Sequence, residues 1–198
     1  MNTIWGYDIS GETLAGILDT AGFNTLTGNK YQGDQRIETM LASATEAVRD
    51  YCGWHIYPAA TCTFTGDTEG VSRIIQLPAR YVTAVSSVKI NGETLDASEY
   101  RWKPNGLIGL VRGTGRSDWN DIEVVYTAGI SESWAAALKE LIAYRVSHAL
   151  AGTDGVQSEA TGGVSVTYNA SWINSSNASG LTDTAREVLT PYRLQGVF

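Results

Sequence analysis

Charge is scarce in this chain of 198 residues. Asp, Glu, Lys and Arg make up 18% of it, below the roughly 25% of an ordinary soluble domain. The balance is acidic, with 14 Lys and Arg against 21 Asp and Glu and a net charge of −7. A protein that grips the DNA backbone needs clustered cations to displace counterions. The one local concentration, Arg101, Lys103, Arg112 and Arg116, falls on a predicted hairpin and reads as a solvated face.

Cysteine and histidine are scarcer still, with two of each: Cys52, Cys62, His55 and His148. Their spacing fits no zinc pattern, because no second Cys or His pair follows the first. Buried free thiols are the expectation, and no metal or other cofactor is implied. With so few imidazoles, nucleophilic catalysis has little to work with. There is no Gly-x-Ser-x-Gly elbow, and His148 falls on a predicted helix close to Tyr144 and Arg145. Gly109, Gly113 and Gly115 make a glycine-rich stretch, but it lacks the Lys-Ser/Thr ending and the following helix of a phosphate cradle. Carboxylate pairs such as Asp118 and Asp121, Glu93 and Asp96, or Asp67 and Glu69 are scattered, the last two beside predicted turns. None shows the alternating ligands of a calcium loop, and nothing in the sequence sets a pair at the separation a glycosidase needs. We therefore expect no enzyme.

Long apolar runs are also missing. No window approaches the roughly 18 residues of a membrane span, and Met1 to Tyr7 has no basic stretch leading into an apolar one, so neither a membrane segment nor a signal peptide is expected. Synthesis in a cytoplasm follows, and the Asn-x-Ser patterns at Asn169, Asn174 and Asn177 mark only a polar loop.

What is abundant is small and apolar. Hydrophobic residues make up 43% of the chain, with 21 glycines, ten tyrosines and six tryptophans. Residues 1–33 read as an irregular N-terminal arm, with a short helix starting at 10–13 and running to about Asp19. From Asp34, an expected N-cap, the residues Ile37, Met40, Leu41, Ala44, Ala47, Val48 and Tyr51 recur at spacings of three and four, the mark of an amphipathic helix ended by Gly53. Between 59 and 128 the period changes to two. Asn91-Gly92 and Pro104-Asn-Gly106 are turn signals between β-prone runs, and the short connections predict a meander of five or six antiparallel strands. A second helix, with apolar residues on more than one side, is predicted from about Ser131 or Ser133 to Leu150. Residues 152–180, rich in Gly, Ser, Asn and Thr, read as a flexible arm holding one alternating stretch from Val164 to Tyr168. A short helix over 181–189, stopped by Pro191, closes the chain. The expected fold is α+β: two long core helices and a short C-terminal helix, with a small antiparallel β-meander inserted between the long helices. A domain over 34–198 follows the arm of 1–33.

Four phrases of the sequence resemble the head–tail connector, or head-completion, proteins of tailed bacteriophages. They are the helix end Ala47-Val-Arg-Asp-Tyr-Cys-Gly-Trp-His-Ile56; the block Ile75-Gln-Leu-Pro-Ala-Arg80 followed by Val82–Val88, the Lys89-Ile-Asn-Gly92 turn and Tyr100; Val124-Val-Tyr-Thr-Ala-Gly-Ile130 leading into the alanine-rich helix; and the late Val-x-Val-x-Tyr stretch followed by the closing helix with Tyr192 and Arg193. The likeness runs over about residues 34–195 and rests on packing and turn residues, not on chemistry.

The resemblance implies a structural subunit of the virion neck, made in the bacterial host cytoplasm. Such a subunit assembles with itself into a ring of about twelve copies between the portal protein and a tail or stopper protein. DNA passes through the ring without specific binding, and an acidic lumen suits that passage by repelling it. On this reading Val164, Val166, Tyr168 and Trp172 make subunit contacts through the arm, while Arg186, Tyr192, Arg193 and Phe198 dock on the portal or tail. Two alternatives stay open. One is a carbohydrate or cell-surface binding module built on Trp54, Trp102, Trp119, Trp134 and Trp172. The other is a different neck or tail-completion protein.

Overall fold

A computed structural model describes residues 3–11, 13–67, 72–113, 121–151, 158–161, 164–167 and 181–194 of the chain. The chain divides into two units. The first gathers residues 1–15, 53–131 and 194–198, and the second 16–52 and 132–193.

The first unit holds eight strands: β1 (Tyr7–Ile9), β2 (Ala60–Gly66), β3 (Ile74–Gln76), β4 (Val82–Ile90), β5 (Glu93–Thr94), β6 (Tyr100–Trp102), β7 (Leu107–Leu110) and β8 (Ile122–Ala128). Five form one antiparallel sheet in the order β1-β2-β8-β4-β5, and three form another in the order β3-β7-β6. β8 earns the central place in the first by its side chains. Ile122, Val124, Tyr126 and Ala128 alternate with half-buried residues and are themselves buried, which is the period of a strand with one face in a core. On either side Cys62 of β2, and Val82, Val88 and Ile90 of β4, are buried. The β4–β5 turn is the expected two-residue hairpin. Asn91 and Gly92 have φ of 54° and 79°, the pair of left-handed residues that a type I′ turn requires.

The second unit holds α1 (Thr20–Leu26), α2 (Ile37–Cys52), α3 (Glu132–Leu150), a ribbon of β9 (Ser158–Thr161) and β10 (Val164–Thr167), and α4 (Asp183–Leu189), which ends in a 3-10 turn at Thr190–Tyr192. α2 buries Ile37, Leu41, Ala44 and Val48, the three-and-four stripe read from the sequence. α3 buries Ala135, Leu138, Leu141, Ile142 and Val146, and α4 buries Ala185 and Leu189. Each large apolar side chain taken out of water here stabilises the fold by about 1.5–3 kcal/mol. The helix ends are capped as the side chains dictate. Asp19 accepts the Gly22 amide at 2.7 Å and starts α1, while Thr182 accepts the Ala185 amide at 3.2 Å and starts α4. The short helix of the first thirty-odd residues therefore begins where the sequence reading had it end.

The expected architecture of two long core helices and a short C-terminal helix around a small meander is overturned. The described residues form four helices, of 7 to 19 residues, and eight strands in two antiparallel sheets, with the β9–β10 ribbon separate from both. The class remains mixed α and β, but the strand order is not a meander. Turn residues reveal which strands are joined by tight hairpins. They are silent on which strand the core selects as its centre, and here that strand, β8, enters between β2 and β4 from far along the chain.

Candidate assembly surfaces

The titratable groups of the core are committed to holding it together. The His55 ring is fully buried. Its Nε2 lies 3.0 Å from the Ala128 carbonyl, which can only accept, so Nε2 carries the proton and Nδ1 accepts from the Tyr7 hydroxyl at 2.8 Å. Burial pushes the thiols of Cys52 and Cys62 up to about 12 and keeps them protonated. Tyr126, buried beside Cys62 and Tyr7, is raised further for the same reason. On α3 the His148 ring lies 4.2 Å from the ring of Tyr144. Among the described residues no group of three or more His, Cys, Asp or Glu could hold a metal ion, and no helix is long and apolar enough to cross a membrane.

The informative features lie outside. In the first unit a cleft of about 700 Å³ opens along the three-stranded sheet, lined by Ile74, Tyr100, Arg101, Trp102, Lys103 and Gly109 among others. The strand register explains it. Ile74 of β3, Gly109 of β7 and Arg101 of β6 stand side by side across one face. Gly109 has no side chain, and a Cβ there would meet nothing nearer than the Arg101 carbonyl at 3.9 Å. The middle of the row is therefore a trough between an isoleucine and an arginine. Ile74 is 60% exposed and Val111, past the end of β7, is 57% exposed.

In the second unit Trp134, at the start of α3, is 55% exposed, and Val188 on α4 is also exposed. The Tyr192 hydroxyl reaches the Trp134 carbonyl at 3.5 Å. The guanidinium carbons of Arg193 and Arg186 lie 5.3 Å and 5.9 Å from the centre of the Tyr51 ring. Cation–π contacts of this kind contribute about 0.5–1 kcal/mol at exposed sites, and they hold α4 and the turn after it against α2. Trp, Tyr and Arg on one unit are the residue types that dominate binding energy at interfaces.

The structure thus brings Arg186, Tyr192 and Arg193 together around α4, with Trp134 and Val188, which the docking set read from the sequence did not contain. Val164 and Val166 lie on β10. Tyr168, Trp172, Phe198, Trp119 and Arg116 lie outside the described residues. Of the five tryptophans named for a platform, three are among the described residues. Trp54 is fully buried, stacked on Tyr81 with ring centres 6.1 Å apart, while Trp102 and Trp134 belong to different units. Ile74 was missed too, although the doublet Ile74-Ile75 carried a signal. Two isoleucines in succession on a strand must point to opposite faces, and here one is buried and one exposed.

No curated protein matches the chain. Among the solved structures that match in fold are the neck of an empty gene transfer agent particle computed with C6 symmetry, with TM-score 0.57 and 12% identity over 97% of each chain; the virion of a native particle of that kind, with TM-score 0.56 and 13% identity over 97% of each; and the neck of a native particle computed with C12 symmetry, with TM-score 0.50 and 13% identity over 94% of this chain and 98% of that one. The family model described as head completion protein matches residues 17–194. That span takes in all four helices and every strand but β1, so the chain belongs to the head completion protein family.

Proposed function

We propose that the chain is a non-enzymatic structural subunit of the head–tail connector in a virion neck, one copy of a ring of about twelve that joins the portal to the tail and extends the DNA channel. The observation that carries this reading is the head completion match over residues 17–194. The surfaces fit it. A ring closes through heterologous contacts, in which one patch of a copy meets a different patch of the next. The chain has two such patches of different character, the trough beside β6 and the aromatic–arginine group on α3 and α4. Arg186, Tyr192, Arg193 and Phe198, joined by Trp134 and Val188, dock on the portal or tail. The arm of 152–180, with Val164, Val166, Tyr168 and Trp172, reaches a neighbouring copy. A net charge of −7 lets DNA slide past without adhering.

Size-exclusion chromatography with light scattering and negative-stain imaging tests the ring, on the chain alone and with its portal protein. We expect a ring with a central hole under at least one of the two conditions. A monomer under both overturns the reading. Deletion of 153–178 tests the arm: a deleted chain that still assembles removes the arm from the mechanism while leaving the ring.

A further inference from the structure

Among the described residues the two sheets leave four strand edges open, β1 and β5 in one and β3 and β6 in the other. An open edge presents unpaired N–H and C=O groups to any strand of matching chemistry. The four differ in charge. β1 is Tyr7-Asp8-Ile9 and β5 is Glu93-Thr94, both acidic, and β3 is the uncharged Ile74-Ile75-Gln76. Only β6, Tyr100-Arg101-Trp102 with Lys103 following, is cationic. Its pairing to β7 shows which groups face outward. The Lys103 amide donates to Leu107 O and the Val111 amide to Glu99 O, so alternation turns the backbone groups of Tyr100 and Trp102 away from β7 toward the free edge. The cleft of about 700 Å³ is lined from β3, β6 and β7 with Val85 of β4 and Ala97, and among the described residues no carboxylate lines it.

Elsewhere the chain carries a piece of β-structure with no sheet of its own. β9 and β10 pair with each other, Ser158 with Thr167 and Thr161 with Val164, and among the described residues join neither larger sheet. An isolated two-stranded ribbon is marginally stable in water and gains from further strands. The charges match. The sequence from 152 to 180 contains Asp154 and Glu159 and neither Lys nor Arg.

We propose that β9 of a second copy of this chain, a strand whose sequence carries Glu159 and no cation, adds to the open edge of the cationic β6 and extends the three-stranded sheet across the subunit boundary. The contact is strand addition: main-chain hydrogen bonds supply affinity, and the neighbouring side chains supply register. It rests on the ring reading above and names the surface that receives the arm. Two different patches meet, so the contact is heterologous and propagates from copy to copy.

Two populations of the full chain with different tags test it. One carries Ala97→Cys at the exposed rim of the cleft, and the other Ala160→Cys on β9. The native Cys52 and Cys62 are buried and stay silent toward maleimides. A short bis-maleimide is expected to join the two tags in the mixture. The yield falls about tenfold or more when the rim copy also carries Arg101→Glu and Lys103→Glu, and recovers when the other copy carries Glu159→Lys. Arg101 and Lys103 are exposed, and an unchanged thermal unfolding curve shows that their reversal leaves the fold intact. An oligomer that forms without joining the two tags, or a cross-link indifferent to the charge reversal, overturns the strand addition and leaves the ring standing. A chain that neither oligomerises nor cross-links, alone or with the portal protein, overturns both.

Discussion

The Tyr7 hydroxyl closes a two-way bridge to His55: it donates to Nδ1 at 2.8 Å and accepts the His55 backbone amide at 3.1 Å. One oxygen thereby satisfies two buried polar groups and pins β1 to the segment that follows α2. Tyr7→Phe keeps the ring but strands both His55 groups. We expect a loss of about 1–3 kcal/mol in urea unfolding with an unchanged slope. Hydrogen exchange should quicken first in β1, and loss of protection spread evenly over the sheet would refute a local bridge.

Two glycines separate backbone strain from steric clash. Gly92 and Gly106 have nearly the same φ, 79° and 84°. A Cβ at Gly92 meets nothing within 4 Å, whereas at Gly106 it comes within 2.4 Å of the Ala79 carbonyl oxygen. Gly92→Ala should therefore cost only the left-handed strain, about 1 kcal/mol. Gly106→Ala adds a clash with backbone that cannot swing aside and should cost about 3 kcal/mol or more. Equal costs in chemical denaturation would show that the β6–β7 turn yields.

Much of this was legible from residues that act locally. The three-and-four stripe from Ile37 to Tyr51 marks α2, and Gly53, at φ of 77°, stops it. Asn91-Gly92 and Pro104-Asn-Gly106 mark their turns for equally local reasons. What escaped was decided at a distance. Nothing near Ile122–Ala128 says that this strand will lie between Ala60–Gly66 and Val82–Ile90, because that choice follows from which alternating strand has the most apolar face to bury. β1 escaped because three residues are too few to show a period. The candidate surfaces divide in the same way. Arg101 and Lys103 stand out as cations in the sequence, but the trough beside them exists only because Gly109 falls opposite Arg101 in the register.

Burial makes the two thiols a probe of the fold and a source of alkaline sensitivity. Desolvation raises both Cys52 and Cys62 from 9.0 to about 12. The unfolded chain then releases protons that the folded one retains, so their stabilising contribution is complete below pH 9 and is lost as pH rises through that window toward 12. Stability measured by denaturation should fall across this range. At pH 8 a thiol reagent should label neither cysteine in the folded protein and both after unfolding. Rapid labelling of Cys52 in the native state would mean that its cover under α4, where the thiol lies 3.9 Å from the Leu189 carbonyl, opens readily.

Two exposed residues of the second unit, Trp134 on α3 and Val188 on α4, should separate assembly from stability. Trp134 is 55% exposed, and its loss removes little from the core, so Trp134→Ala should change unfolding by no more than about 0.5 kcal/mol. The same holds for Val188→Asp on the outer side of α4, where a carboxylate meets water. At an interface the consequences reverse, because a tryptophan anchor contributes at least about 2 kcal/mol when a partner excludes water around it. Portal binding measured by biolayer interferometry should therefore weaken more than about tenfold in either variant, while circular dichroism and thermal unfolding stay put. If binding survives both changes, docking runs through other residues, and Trp134 and Val188 are only the exposed apolar side chains that every soluble protein carries.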